Sequence, residues 1–139
     1  GFNDAWYNQD TAGQGFLIAV FPNIQQVFVA WFTFDTERPP ESVEAILGDP
    51  GHRWLTAQGP FTGNTANLDI YITEGGVFDA AEPAAQNDGM PDGTMTIEFD
   101  NCREGTVTYD ITEPATAGVI EIERIVGDNV ALCEALGGL

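Results

Sequence analysis

Residues 15–34 form two apolar runs that are hydrophobic on both faces of the strands they predict. The first run covers residues 15–21, a turn begins at Pro22, and the second run covers residues 27–34. Side chains alternate between the two faces of a strand, so a strand with one solvated face should alternate apolar with polar residues. These runs do not alternate. They therefore predict a hairpin with one face in the core and a second face that needs another cover.

The second run predicts which residues share a face. Alternation places Val27, Val29 and Trp31 on one side, and the phenylalanines and the alanine between them on the other. The cover of the second apolar face is either a terminal segment of this chain or a neighbouring molecule. With the neighbouring molecule as the leading interpretation, the predicted interface consists of Val27, Val29 and Trp31 with Leu17 and Phe21 of the first run.

Further strand patterns follow at regular spacing, separated by clusters of glycine, asparagine, aspartate and proline. The predicted strands cover residues 5–8, 15–21, 27–34, 52–58, 67–73, 94–100, 106–111 and 118–125, and residues 130–136 predict a short C-terminal helical turn. Sequential strands without intervening helices predict an all-β, antiparallel up-and-down meander of about 7–8 strands, closed as a barrel or a sandwich. We prefer the barrel, and we expect residues 1–139 to form a single β domain.

The charge of the chain restricts its partners. Twenty-two acids stand against four arginines among 139 residues, which gives a formal net charge of −18. Nucleic acids and anionic membranes are bound by basic surfaces, so neither is expected as a partner. No stretch is long and apolar enough to insert into a bilayer. The acidity indicates either solubility in a saline exterior or the binding of cations.

Cys102 and Cys133 are the only cysteines, and they predict a disulfide. The chain has no CxxC motif and no cluster of cysteine and histidine, which favours a bridge over a metal site. Two separate buried thiols are the alternative. A bridge would stabilise the fold by about 3–4 kcal/mol in the chain-entropy model. It predicts an oxidising compartment, so we expect the protein to be secreted or at a cell surface.

The residues that nucleophilic catalysis needs are nearly absent, and we predict that the protein is not an enzyme. The single histidine, His52, lies in a turn that enters a strand, and the single serine, Ser42, lies in an acidic connection. A catalytic triad needs a base within hydrogen-bond reach of a nucleophile. A pair of carboxylates for glycoside hydrolysis stays open as an alternative, although no motif marks one.

The best candidate for a cation site is the glycine-rich segment of residues 87–93. Asp88 and Asp92 offer carboxylate oxygens, which are the ligands that Ca²⁺ prefers. The segment lacks the ligand spacing and the distal glutamate of an EF-hand, and a polar loop without a cation is the alternative. No other cofactor is expected.

Four aromatic residues are candidates for a site that binds a glycan or another small ligand: Trp6, Tyr7, Trp54 and Tyr71. On strands, large aromatic side chains also serve as core or interface residues, and a sugar site requires at least two of them exposed together.

Arg124 shares a face with Ile122, which alternation directs inward. It is either buried with a carboxylate partner or extends outward from the end of its strand.

Several short strings in the chain carry a resemblance to a known family. They are Trp6-Tyr7-Asn8 with Gly13-Gln14-Gly15-Phe16, Ala30-Trp31-Phe32-Thr33-Phe34-Asp35, Trp54 with Gly59, Gly105-Thr106-Val107-Thr108-Tyr109, and Ile122-Glu123-Arg124. Taken in order, they resemble an uncharacterised family of secreted bacterial β domains with WYNP…SGxG and WFTYD motifs. The resemblance implies a bacterial exterior location and carries over no catalytic residues. Gln9 stands where that family usually has proline.

These observations lead to two functional expectations. The first is a non-enzymatic extracellular or cell-surface structural domain that self-assembles or mediates protein–protein contact, as a subunit of a surface assembly or filament. Subunits of like charge repel one another, so assembly should need salt or divalent cations. The alternative is a β module that binds carbohydrate or another small ligand.

Overall fold

The chain folds into a closed barrel, in a computed structural model that describes residues 1–137. Its strands are β1 (Asp4–Tyr7), β2 (Gly15–Phe21), β3 (Gln26–Phe34), β4 (His52–Thr62), β5 (Thr65–Ile72), β6 (Gly93–Phe99), β7 (Glu104–Ile111) and β8 (Thr116–Arg124). A short helix, α1 (Val130–Ala135), follows. Each strand pairs antiparallel with the next, and β8 pairs with β1. The predicted all-β meander with a C-terminal helical turn is confirmed, and its closure is a barrel.

Apolar side chains from every strand fill the interior, as expected for a barrel of this size. The buried set includes Trp6, Phe16, Ile18, Val20, Val27, Val29, Trp31, Leu55, Ala57, Leu68, Ile70, Met95, Ile97, Phe99, Val107, Ile111 and Ile122. Successive members on one strand are two residues apart, because every second side chain of a strand points inward. The predicted strands of residues 94–100 and 106–111 correspond to β6 and β7.

The hairpin of β2 and β3 is apolar on both faces, but the predicted interface combines residues from the inner face with residues from the outer face. Val27, Val29 and Trp31 point into the barrel, and Val29 is 0% exposed, so these three residues cannot form an interface. Leu17 and Phe21 lie on the opposite, outer face and are about half exposed. The alternation pattern separates the two faces correctly but does not say which one points inward when both are apolar. The cover of the inner face is the rest of the barrel.

One end of the barrel is closed by the N-terminal residues and by α1. The ring of Phe2 stacks on that of Phe99 with a centroid separation of 4.0 Å, and the indole Nε1 of Trp6 donates a hydrogen bond to the carbonyl oxygen of Phe2. Cys133 of α1 is fully buried and forms a disulfide with Cys102, in the β6–β7 turn. The predicted disulfide is confirmed, and it attaches α1 to the barrel.

Arg124, the last residue of β8, is buried inside this closed end. It forms an ion pair with Asp4, and its Nη2 donates a hydrogen bond of 2.7 Å to the carbonyl oxygen of Gly1. Its Nε donates to the carbonyl oxygen of Cys102. The buried alternative for Arg124 is therefore correct. Its partners come from the N-terminal residues and from the β6–β7 turn, and Arg124 joins both to the end of β8.

The strands approach one another very closely where Gly93 begins β6. A Cβ atom built on Gly93 would lie 2.3 Å from the carbonyl oxygen of Asp110 and 2.9 Å from the Cα of Ile111, both in β7. Real side chains do not reach such distances, so only glycine fits this inward position. Gly59, on β4, meets the carbonyl oxygen of Asn67 in the same way. These close approaches accompany the strong coiling that closes the barrel.

Candidate functional site

The other end of the barrel is open and forms a cavity. Strands β3, β5 and β7 end there, and β4, β6 and β8 begin there, so the long connections 35–51 and 73–92 both start at this mouth. The cavity has a volume of about 970 Å³. Pockets for small ligands generally measure about 300–1,000 Å³, so it has the size of a ligand site.

The floor of the cavity is apolar. It is lined by Trp31, Leu55, Ile72, Tyr109 and Ile111, which come from four different strands. The ring of Trp31 meets that of Tyr109 edge-on at 5.0 Å and stacks on that of Phe16 at 5.3 Å. These ring contacts fix the orientation of the Trp31 side chain. The packed barrel core lies directly below it.

Polar groups form the rim of the cavity, and most of them are acidic. Arg53, on β4, forms an ion pair of 2.6 Å with Asp35, which directly follows β3, and both side chains are substantially exposed. Arg53 also donates to the carbonyl oxygens of Pro50 and His52. The other carboxylates that line the cavity are Glu74, Asp88, Asp92 and Glu113. Arg53 is thus a single guanidinium on a rim with an excess of negative charge.

Asp92 has a structural role at this rim. Its Oδ2 accepts a hydrogen bond of 2.6 Å from the backbone N–H of Ile72, and its own backbone N–H donates to the carbonyl oxygen of Ile70. Its carbonyl oxygen accepts from the N–H of Thr112, beyond the end of β7. The residue therefore ties the end of the 73–92 connection to strands on either side.

The structure gives the predicted calcium ligands hydrogen-bond partners from the backbone. Oδ1 of Asp88 accepts a hydrogen bond of 2.8 Å from the N–H of Met90, as in a polar turn, and Asp92 is engaged with Ile72 as described. Within residues 1–137, no three histidine, cysteine or acidic side chains are grouped so that they could hold a metal ion. Both aspartates lie at the rim of the cavity. Their carboxylates contribute negative charge to this rim.

The four aromatic residues predicted for ligand binding are not brought together. Trp6 is 1% exposed in the closed end, so it cannot meet a ligand. Tyr7 and Tyr71 are half-buried on β1 and β5, at positions whose side chains point outward. Only Trp54 lines the cavity, from an exposed position at the rim.

Sequence reasoning missed the aromatic residues of the floor. The sequence predicts Trp31 as an interface residue and gives Tyr109 no role in ligand binding. The positions of these two residues were the available signal, because both point inward near the ends of strands that finish at the same end of the barrel. Recognising a cavity from these positions requires knowing which end of the barrel is closed. His52 is the first residue of β4 and directly follows a turn, and its Nδ1 accepts a hydrogen bond from the N–H of Asp49.

The disulfide and the secondary structure bear on the location of the protein. Structural disulfides form and persist in oxidising compartments, so Cys102–Cys133 indicates such an environment. No helix within residues 1–137 has both the length and the apolar character needed to cross a membrane.

No protein-family model matches the chain, and no curated protein and no solved structure is significantly similar to it. The resemblance to secreted bacterial β domains therefore stays a prediction. The barrel fold alone does not determine a function, because one fold can serve many functions.

Proposed function

We propose that the protein is a non-enzymatic binding module, secreted or at a cell surface, whose barrel mouth takes one small amphipathic molecule. The observation that supports it is a cavity of about 970 Å³ with an apolar floor and a polar rim at the only open end of the described barrel. Sites for small ligands combine these features: apolar walls that supply affinity and a few polar groups that fix orientation. Eight-stranded barrels are wide enough to hold one small ligand.

The cavity has one entrance because the opposite end is filled. Phe2, Trp6 and Phe99 pack against one another there, and the disulfide holds α1 in place. A ligand therefore enters between the connections 35–51 and 73–92. Its apolar part contacts the side chains of the floor, and its polar part stays among the charged groups of the rim.

The size of the cavity limits the expected affinity. A ligand of about 20 non-hydrogen atoms gains about 0.3 kcal/mol per atom, or about 6 kcal/mol in all, which corresponds to a Kd of tens of micromolar. Binding of this strength is reversible and suits capture or sensing of a molecule present at similar concentration.

Tryptophan fluorescence tests the proposal directly, because Trp31 lies in the floor. The protein is titrated with uncharged and cationic environment-sensitive dyes, and saturable dye emission with a matching change in tryptophan emission is expected. Trp31→Phe should remove most of the tryptophan response while leaving dye emission largely intact. This variant identifies the floor as the place of binding.

Two charge insertions separate the cavity from the remaining surface. Ile72→Glu places a carboxylate on the floor and is expected to weaken binding of the uncharged dye at least tenfold, since a buried charge opposes an apolar ligand. Val119→Glu is the matched control, because Val119 is exposed on the outer face of β8 away from the cavity. Circular dichroism establishes that both variants are folded. Equal binding by both variants, or no saturable binding of any dye by the wild type, contradicts the proposal.

A further inference from the structure

The outer surface of the barrel is divided into an acidic side and an uncharged side. Outward positions of β5–β8 carry the carboxylates of Asp69, Glu98, Glu104, Asp110, Glu121 and Glu123. Outward positions of β2–β4 carry no carboxylate, lysine or arginine, although the chain has 22 acids. The negative charge on the strands is therefore distributed unevenly around the barrel.

The uncharged side is also strongly apolar. We call it the apolar face, and it consists of Leu17, Phe21, Phe28, Phe32, Phe34 and Trp54. Phe32 lies directly opposite Trp54 across the β3–β4 pair, and they are 47% and 51% exposed. Monomeric proteins rarely expose a contiguous apolar surface of this kind, and where they do it often binds a partner.

We propose that a second copy of this chain covers the apolar face, in a symmetric dimer that places the two apolar faces against each other. Each protomer carries a net charge of −18, so approach through the acidic side brings like charges together. Approach through the apolar face keeps the two acidic sides turned away from each other. A two-fold axis produces this arrangement because the same surface is used on both protomers.

The area of the face predicts a weak dimer. Nine residues of β3 span about 30 Å, and three strands are about 14 Å across, which gives about 400 Å² per protomer. Stable specific interfaces bury about 800 Å² per partner. The association should therefore be concentration-dependent, and it should strengthen with salt because ions screen the repulsion between protomers.

The apolar face and the proposed ligand site overlap only at the mouth of the barrel. The apolar face lies on the side of the barrel, whereas the cavity opens at its end. Phe34 and Trp54 lie where the two regions meet, since both also line the cavity. Variants that test the dimer are therefore placed at Phe32, which does not line the cavity.

Sedimentation velocity of the whole chain, from 5 µM to 1 mM protein at about 0.05, 0.15 and 0.5 M NaCl, tests the proposal. The wild type should change from monomer to dimer with concentration, with a dimer Kd at least tenfold lower at the highest salt than at the lowest. Phe32→Glu should stay monomeric throughout. Val119→Glu adds the same charge on the acidic side, where Val119 is 63% exposed, and should still dimerise at the highest salt.

Two further measurements keep the test decisive. Thermal unfolding shows whether Phe32→Glu is folded, and Phe32→Thr, which preserves strand propensity, should weaken the dimer without adding charge. A wild type that is monomeric at 1 mM and high salt overturns the proposal. So does a dimer that Phe32→Glu leaves intact, or a monomer that binds uncharged phosphatidylcholine vesicles through Phe32.

Discussion

The guanidinium carbon of Arg124 lies 4.7 Å from the centroid of the Trp6 ring, and this contact joins the last strand to the first. The two residues are directly opposed in the β1–β8 pair, which is the shortest pairing in the barrel. A guanidinium over an indole face is attracted by the ring's quadrupole, more strongly where water is excluded. The contact therefore stabilises the barrel at the strand pair with the fewest backbone hydrogen bonds.

Removing the charge of Arg124 should destabilise the protein severely. Arg124→Met leaves the carboxylate of Asp4 without its ion-pair partner inside the closed end, which should lower the free energy of unfolding by about 3–5 kcal/mol. Urea unfolding followed by tryptophan fluorescence measures the change. Arg53→Met is the control, because its ion pair with Asp35 is exposed and should contribute about 0–1 kcal/mol. Similar losses for the two variants would contradict the assigned role of Arg124.

Acid should remove the contribution of Asp4. Burial raises the pKa of Asp4, but hydrogen bonds from Ala5 and Asn129 and the hydrogen bond and charge of Arg124 lower it more, so the folded-state pKa lies below the ordinary value of 3.8. A depressed folded-state pKa contributes stability above the unfolded-state pKa and loses it as the pH falls through the folded-state value. Asp4→Asn should therefore be less stable than the wild type at pH 7, and the gap between their free energies of unfolding should narrow below pH 3.8. Urea unfolding of both proteins across this range measures the gap, and a gap independent of pH would be inconsistent with this coupling.

Loss of the disulfide should affect stability but not the cavity. The double variant Cys102→Ser/Cys133→Ser opens a loop with a sequence separation of 31 residues and should lower the free energy of unfolding by about 3–4 kcal/mol. The cavity lies at the other end of the barrel, so dye affinity should change less than twofold under conditions where the variant is folded. Thermal unfolding and dye titration provide the two measurements. A large loss of affinity in the folded variant would show that the two ends are coupled.

A methyl group at Gly93 should be poorly tolerated. Gly93→Ala forces a Cβ against the backbone of β7, and overpacking of this kind costs about 1–3 kcal/mol. Gly127→Ala is the matched control, because the nearest atom to a Cβ there is Nη1 of Arg103 at 3.5 Å, an ordinary contact. Urea unfolding should show a clear loss for the first variant and little change for the second.

The rim should distinguish ligands by charge. Asp35, Glu74, Asp88, Asp92 and Glu113 outnumber Arg53, so a cationic amphiphile should bind more tightly than an anionic one with the same apolar body. Competition against a bound dye at low ionic strength measures the Kd of each amphiphile, and we expect the Kd of the anionic one to be at least tenfold higher. Arg53→Gln should increase the preference, and salt should reduce it. Tighter binding of the anionic amphiphile would show that Arg53 controls the selection.

Strand positions and the disulfide could be predicted because they depend on local patterns. The alternation of Met95, Ile97 and Phe99 shows a half-buried strand without any knowledge of its neighbours. Cys102 and Cys133 had no alternative partners within the chain. The same local reasoning identified an apolar hairpin and proposed that the surplus apolar surface meets another molecule.

The inward face of that hairpin could not be predicted, because it depends on how the barrel closes. Trp31 and Phe32 are both large and apolar, and only the direction of curvature decides that Trp31 becomes part of the cavity floor and Phe32 part of the surface. The cavity itself combines ends of several strands with two long connections. No single segment carries a signal for such a site.

The arrangement of the closed end also determines how this barrel can be attached to anything else. Phe2 and Cys133 are both buried at that end, so polypeptide fused before the first strand or after the helix emerges on the side away from the cavity. A carrier, a tether or a second module joined at either terminus would therefore hold the barrel with its mouth facing outward. The connections 35–51 and 73–92 lie at the opposite end, so an attachment at either terminus leaves them accessible.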